Sequence, residues 1–235
     1  MFWSLFWKEW KENLWKLSLC GLVSIAFVLM LFRIRLFPDS ANCIAISFVQ
    51  MLAIPVIYAL DIFSGEMSNR TIHLLFKIPV KRWKIFFSKY LVSIAGMALI
   101  FLVSGILMEI VSQGREAEAG MLFKMNASYG ISAMLLFSWF CGFGAQSRSE
   151  AGSMTAMFGV MIGWAIVLFW ATMCEVGWAL AFVPYHTIFY YYGTYGTVNP
   201  LLSPGLFQMI TSQSIATVVI VSIACYRFVK VRRYL

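Results

Sequence analysis

The stretch YLVSIAGMALIFLVSGILMEIVS, residues 90–112, decides the class of this molecule. Its one ionisable acid or base of full charge is Glu109, near the end. A helix rises 1.5 Å per residue, so a run of this length covers the roughly 30 Å of hydrocarbon in a bilayer, which needs about 20 apolar residues. A soluble helix would show a polar face at every turn, and this one shows none.

Five more runs of the same kind surround it, giving six predicted spans at 15–37, 44–64, 90–112, 121–146, 153–174 and 212–229. The fourth is the weakest, because Lys124 and Asn126 sit at its start. Composition agrees, with 61% hydrophobic and 12% charged residues. Soluble domains carry about twice that charge. The fold class expected is an all-α membrane protein in one transmembrane domain, with no separate soluble unit. The net charge of +8 belongs to loops between apolar runs, so it reads as a topology signal rather than a nucleic-acid surface.

Upstream of the first run, residues 2–14 are amphipathic. Phe2, Trp3, Phe6, Trp7, Trp10 and Leu14 follow helical spacing, with Lys8, Glu9, Lys11 and Glu12 between them. Tryptophan favours the headgroup level, so this segment is expected to lie in the membrane interface. Charges interleaved with aromatics do not make a cleaved signal peptide.

Lysine and arginine then orient the spans. With the N-terminus in the cytoplasm, fourteen of the eighteen fall on the inner side, and Arg33, Arg35, Arg115 and Lys124 fall outside. Six spans put both termini in the cytoplasm and the chain in an inner or plasma membrane. The inner connection 65–89 is basic. The outer connection 175–211 has no Lys or Arg and is rich in aromatics, with Pro184, Pro200 and Pro204 dividing it.

Chemistry-bearing residues are sparse. The five cysteines, Cys20, Cys43, Cys141, Cys174 and Cys225, have no CxxC spacing and read as small apolar residues, with a Cys43–Cys174 disulfide left open. His73 and His186 have no carboxylate or cysteine at metal spacing, so no metal site is expected. No GxxxxGK[ST] phosphate loop occurs, so the chain is not an ATPase. No HExxH or paired-aspartate signature marks an intramembrane protease or lipid-modifying enzyme.

Four residues in the spans carry two readings each. Gln50 and Asp61, in the second span, either face protein or mark a pathway or gate. Gly159 and Gly163 form a GxxxG pair, suited to packing within the subunit or against a second copy. Glu109 is expected at a bland surface position.

The inner connection carries the remaining pattern. GEMSNRTIHLLFKIPVKRWKIFFSKYL, residues 65–91, has polar groups at a membrane exit, a short amphipathic turn, a proline that ends it, and a basic cluster. The residues Glu66, Arg70, Thr71, Leu74, Leu75, Pro79, Lys81, Arg82 and Lys89 resemble those of ABC-2-type permeases, the membrane subunits of ABC exporters. That likeness extends in organisation to the N-terminal segment, the six spans and the long outer connection. It implies an ABC-2-type exporter fold with an N-terminal elbow helix. It also implies that residues from Glu66 to Arg82 are a coupling region docked on a separate cytoplasmic ATPase. ATP and magnesium would be bound by that partner. A second copy or a related permease would complete the pathway. The cargo suggested by apolar spans is hydrophobic or amphipathic. A membrane component of a maturation or assembly system is the alternative.

Overall fold

The computed structural model describes residues 2–34, 37–60, 62, 80–113, 120–144, 150–174, 176–187 and 205–231. The described residues fold into seven helices: α1 (Phe2–Ile34), α2 (Asp39–Leu60), α3 (Arg82–Val111), α4 (Met121–Gly144), α5 (Glu150–Met173), the single turn α6 (Gly177–Leu180) and α7 (Leu206–Val231).

Every long helix is longer than its apolar middle or shifted along it, because a helix continues into the interface, where polar side chains reach water. Thus α2 starts at Asp39, five residues before the expected span. Its first turn is held by Asn42, whose backbone N–H donates to Pro38 O at 3.0 Å and whose side chain donates to Phe37 O at 3.1 Å. Pro55 lies inside α2, as membrane helices tolerate. The inner connection expected to run to residue 89 is shorter, since α3 already begins at Arg82. Likewise α7 takes the last six residues of the expected outer connection, starting at Leu206.

The interfacial helix expected over 2–14 is not an element of its own. Phe2 to Ile34 is one helix of 33 residues. Its buried residues form a narrow stripe, Glu9, Lys16, Cys20, Ser24, Val28 and Phe32, while Trp3, Trp7 and Trp15 are exposed. In the first half of α1, Glu9 and Lys16 therefore turn inward, while Trp3, Trp7 and Trp15 turn outward beside Lys8, Lys11 and Glu12. That mixture suits aromatic rings bathed by headgroups and lipid.

Contacts between side chains fix the direction of each helix. Glu9 meets Lys89, so α1 and α3 run parallel. Cys43 and Ser47 meet Leu122 and Asn126, so α2 and α4 run parallel. Tyr90 meets Ser138, so α3 and α4 run antiparallel. Helix α5 begins six residues after α4 ends and Trp139 packs on Trp164, which makes α5 antiparallel to α4, while Ser132 meets Gln213 and Gly142 lies beside Ile220 and Ala224, which makes α7 parallel to it. The helices alternate up and down. The Phe2 end of α1, the Arg82 end of α3 and the Val231 end of α7 share one face of the bundle. That face carries Lys8, Lys11, Lys16, Lys81, Arg82, Lys84, Lys89, Arg227 and Lys230, against Arg33 and Lys124 at the other among the described residues.

The centre is α4. It packs on α2, α3, α5 and α7, and it buries Leu122, Met125, Tyr129, Leu136, Phe137 and Phe140. Among the described residues, five helices, α1, α2, α3, α5 and α7, are long and apolar enough to cross a membrane. Helix α4 has 24 residues and carries Lys124, Asn126, Ser128, Ser132 and Ser138. A helix surrounded by other helices has no need to match lipid. This explains why the fourth span was the weakest in the sequence. Only 11% of the apolar window of α5 is buried inside the chain, against half in α2 and α3, so α5 sits at the rim.

Candidate functional site

The polar groups of the bundle gather in three places, each built on α4 or α3. At the face shared by Phe2 and Val231, Lys89 Nζ donates to Glu9 Oε2 at 2.9 Å. Both side chains are almost wholly buried. Helix α3 opens there after Lys81, whose extended backbone (φ −62°, ψ 129°) precedes the first turn, and Lys84 N donates to Lys81 O at 2.9 Å. Phe86 stacks on Tyr90, and Tyr90 on Phe137, so the same turn is anchored in the core.

The second cluster lies where α2, α3 and α4 meet. Ser47 Oγ donates to Asn126 Oδ1 at 2.9 Å, and Asn126 Nδ2 donates to Phe101 O at 2.5 Å. Ser104 Oγ reaches Gln50 Oε1 at 3.3 Å. The Gln50 amide nitrogen is buried without a hydrogen-bond partner. Close packing forces the backbone in. A Cβ on Gly105 would stand 2.9 Å from the Asn126 amide, and one on Gly130 would stand 3.1 Å from the Phe101 ring.

The third cluster joins α4 and α7 to the segment after α6. Ser132 Oγ lies 2.7 Å from Thr187 Oγ1 and donates to Gln213 Oε1 at 2.8 Å. Gln213 Nε2 donates to Val183 O at 3.4 Å, and Tyr185 Oη donates to Met161 O of α5 at 3.3 Å. Ser132 is eleven residues into α4, about 16 Å along its axis. The segment 179–187 therefore penetrates the bundle rather than covering its rim. Val183, His186 and Thr187 are buried. Burial pushes the His186 imidazole down to about 4 and the Tyr185 hydroxyl up to about 12.

The residues singled out in the sequence fall unevenly on this map. Gln50 joins the second cluster. Lys81 is exposed at the start of α3, and Arg82 is half-buried beside it. Asp61, Glu66, Arg70, Thr71, Leu74, Leu75 and Pro79 lie outside the described residues. A Cβ on Gly159 or Gly163 would meet no described residue of the subunit within 4 Å. Cys43 and Cys174 are both free, which corrects the disulfide left open above. Cys43 is buried, its thiol donating to Leu122 O at 3.6 Å, and Cys174 is exposed. Glu109 is not a bland surface group. Its carboxylate accepts the backbone N–H of Gly120 and, at 3.4 Å, that of Phe123. A negative charge thus caps the start of α4, following a left-handed Gly120 with φ 78°.

Sequence reading missed Glu9, Ser132, Thr187 and Gln213. Serines and glutamines in apolar runs signal that some polar partner exists, and say nothing about which. A clearer signal was available for Glu9, an acid set among tryptophans.

A groove of about 370 Å³ opens between α1 and α3, lined by Ser18, Gly21, Leu22, Ile25, Leu99 and Val103. Its walls are apolar, and their outer residues face away from the bundle. It holds no cluster of titratable side chains, and so offers no chemistry of its own.

The arrangement is that of a multi-pass membrane bundle with buried polar locks and no assembled catalytic centre among the described residues. A comparison with curated proteins finds no match. A family model described as ABC-2 family transporter protein matches residues 39–231, from the start of α2 to the end of α7. The chain belongs to the ABC-2 family of transporter proteins, as a membrane permease of an ABC transporter.

Proposed function

We propose that this chain is the membrane subunit of an ABC exporter and that a separate cytoplasmic ATPase drives it. The family match over 39–231 carries the reading. The alternating helices support it, because they gather the basic ends of α1, α3 and α7 on one face. Positive residues favour the cytoplasmic side, which puts the helix ends at Phe2 and Val231, and the connection between α2 and α3, in the cytoplasm of a cell membrane.

In this reading Glu66, Arg70, Thr71, Leu74, Leu75, Pro79, Lys81 and Arg82 form the surface that docks on the ATPase. ATP and magnesium belong to that partner. This chain contributes shape and movement, not bond chemistry. Two permeases, copies or relatives, enclose the pathway. Helix α5 suits the contact between them, because its Gly159–Gly163 face is open and bordered by exposed Phe158, Ile162 and Ile166. Gln50 and Asp61 are the polar groups nearest a pathway role. The cargo class is hydrophobic or amphipathic.

Co-expression of the chain with an ATPase encoded beside it tests the reading. The expected result is a complex that survives purification in mild detergent and hydrolyses Mg-ATP. A permease that retains no ATPase under these conditions would sink it.

A further inference from the structure

We infer that the buried Glu9–Lys89 ion pair locks the first third of α1 to the start of α3, so that both move as one unit when the connection before α3 is displaced. The two residues are eighty positions apart, yet Nζ and Oε2 are 2.9 Å apart. Their side chains are 6% and 3% exposed, which makes the contact different in kind from the solvent-washed Lys8–Glu12 pair next to it.

The physics argues against a mere stabilising role. Removing two charges from water costs several kcal/mol each, and their attraction barely offsets that cost. Apolar residues of similar size would hold two helices together as well. What an ion pair adds is a single register, because any slip strands a buried charge. Here that register matters at a particular place. Lys89 is eight residues past Lys81, within the first two and a half turns of α3 or so, where Phe86 and Tyr90 already tie the turn to α4 and α7. Glu9 sits on a part of α1 whose Trp3 and Trp7 are exposed. Without the pair, little else within residues 2–12 is buried. The groove between α1 and α3 begins at Leu17, beyond the pair. The lock therefore acts at the face where the connection between α2 and α3 lies. Its use as a transmission element rests on the ATPase reading above; its rigidity does not.

The test uses spin labels at exposed Trp3 and Trp83, in the full chain in lipid nanodiscs, read as a distance distribution. The native pair is expected to give one narrow distance. Glu9→Gln and Lys89→Met are each expected to lose it, giving a broad distribution, and the exchange of both residues, Glu9→Lys with Lys89→Glu, to recover it. An apolar double variant, Glu9→Leu with Lys89→Leu, controls for folding: it is expected to melt near the native temperature and still give the broad distribution. A narrow distance in either single variant or in the apolar double variant would overturn the lock. Adding the ATPase and vanadate-trapped Mg-ATP then reads transmission, with Trp3 following Trp83 in the native protein and failing to follow in the apolar variant. Absence of any ATPase-dependent shift in the native protein, with the lock intact, would count against the ATPase reading alone.

Discussion

Helices α4 and α5 have the same length, 24 residues, and opposite surroundings. Helix α4 is enclosed by four neighbours and carries Asn126, Ser128, Ser132 and Ser138, all buried. Helix α5 is more apolar, and it turns Phe158, Ile162, Ile166, Phe169 and Met173 outward. In water the more apolar helix would occupy the core. In a bilayer lipid solvates apolar side chains as well as protein does, so the core falls to the helix whose polar groups need partners. The comparison teaches that polarity, not apolarity, locates the centre of this bundle.

Substitution of large side chains should break the symmetry of length most visibly. Phe137→Ala in α4 removes a wholly buried ring that stacks on Tyr90, and should cost about 3–5 kcal/mol. Phe158→Ala on α5, 62% exposed, should leave the melting temperature of the single subunit almost unchanged. Thermal unfolding in detergent reads both.

Glycines sharpen the contrast. Gly130→Leu would drive a side chain into the Phe101 ring and should cost about 1–3 kcal/mol. A Cβ at Gly159 meets no described atom of its own subunit, and Gly159→Leu should leave the stability of the monomer almost unchanged. A loss of self-association in Gly159→Leu, measured by cross-linking in membranes, would place a second copy on this face. Unchanged association would remove α5 from that role.

Polar residues follow. Asn126→Ala strands Ser47 and frees the Phe101 carbonyl, at a cost of about 1–3 kcal/mol. On α5, Thr155 hydrogen-bonds, among the described residues, only back to Ala151 within its own helix, and Thr155→Ala should change stability by less than about 0.5 kcal/mol. Equal effects at the two positions would refute the placement of α4 at the centre.

The smallest expected effect concerns acid. His186 is held neutral by burial, its pKa depressed from 6.5 to about 4. Between those values the unfolded chain binds more protons than the folded one, so stability falls as pH drops through that window. The melting temperature should decline from pH 7 to pH 5, and His186→Gln should flatten the decline. Tyr185 does not titrate in this range, and no charged group among the described residues hydrogen-bonds to His186.

Much of this architecture was legible before the structure. The apolar runs pointed to an all-helical membrane bundle, in which five of the described helices are long and apolar enough to cross a membrane, and the scatter of Lys and Arg anticipated that the Phe2 and Val231 ends share a face. The doubt over the fourth run was itself informative, because Lys124 and Asn126 marked the helix that lipid does not solvate. Contacts across the bundle were not legible. Glu9 and Lys89, or Ser132 and Gln213, are brought together by tertiary packing, and no periodicity along the chain encodes which buried polar group finds which. Gly159 and Gly163 illustrate the same limit from the other side, since a GxxxG pattern marks a close approach without naming the partner. The resemblance of residues 65–91 to ABC-2 permeases reached the family, whereas the docking role proposed for Glu66, Leu74 and Leu75 depends on a partner chain that no sequence of this one contains.

The most direct measurement of the central claim is ATP hydrolysis by the co-reconstituted complex of this chain with its neighbouring ATPase, comparing the native permease with Leu74→Asp/Leu75→Asp. The account predicts that the double variant remains folded and inserted, and loses permease-dependent hydrolysis along with retention of the ATPase. Hydrolysis and retention equal to those of the native complex would contradict it.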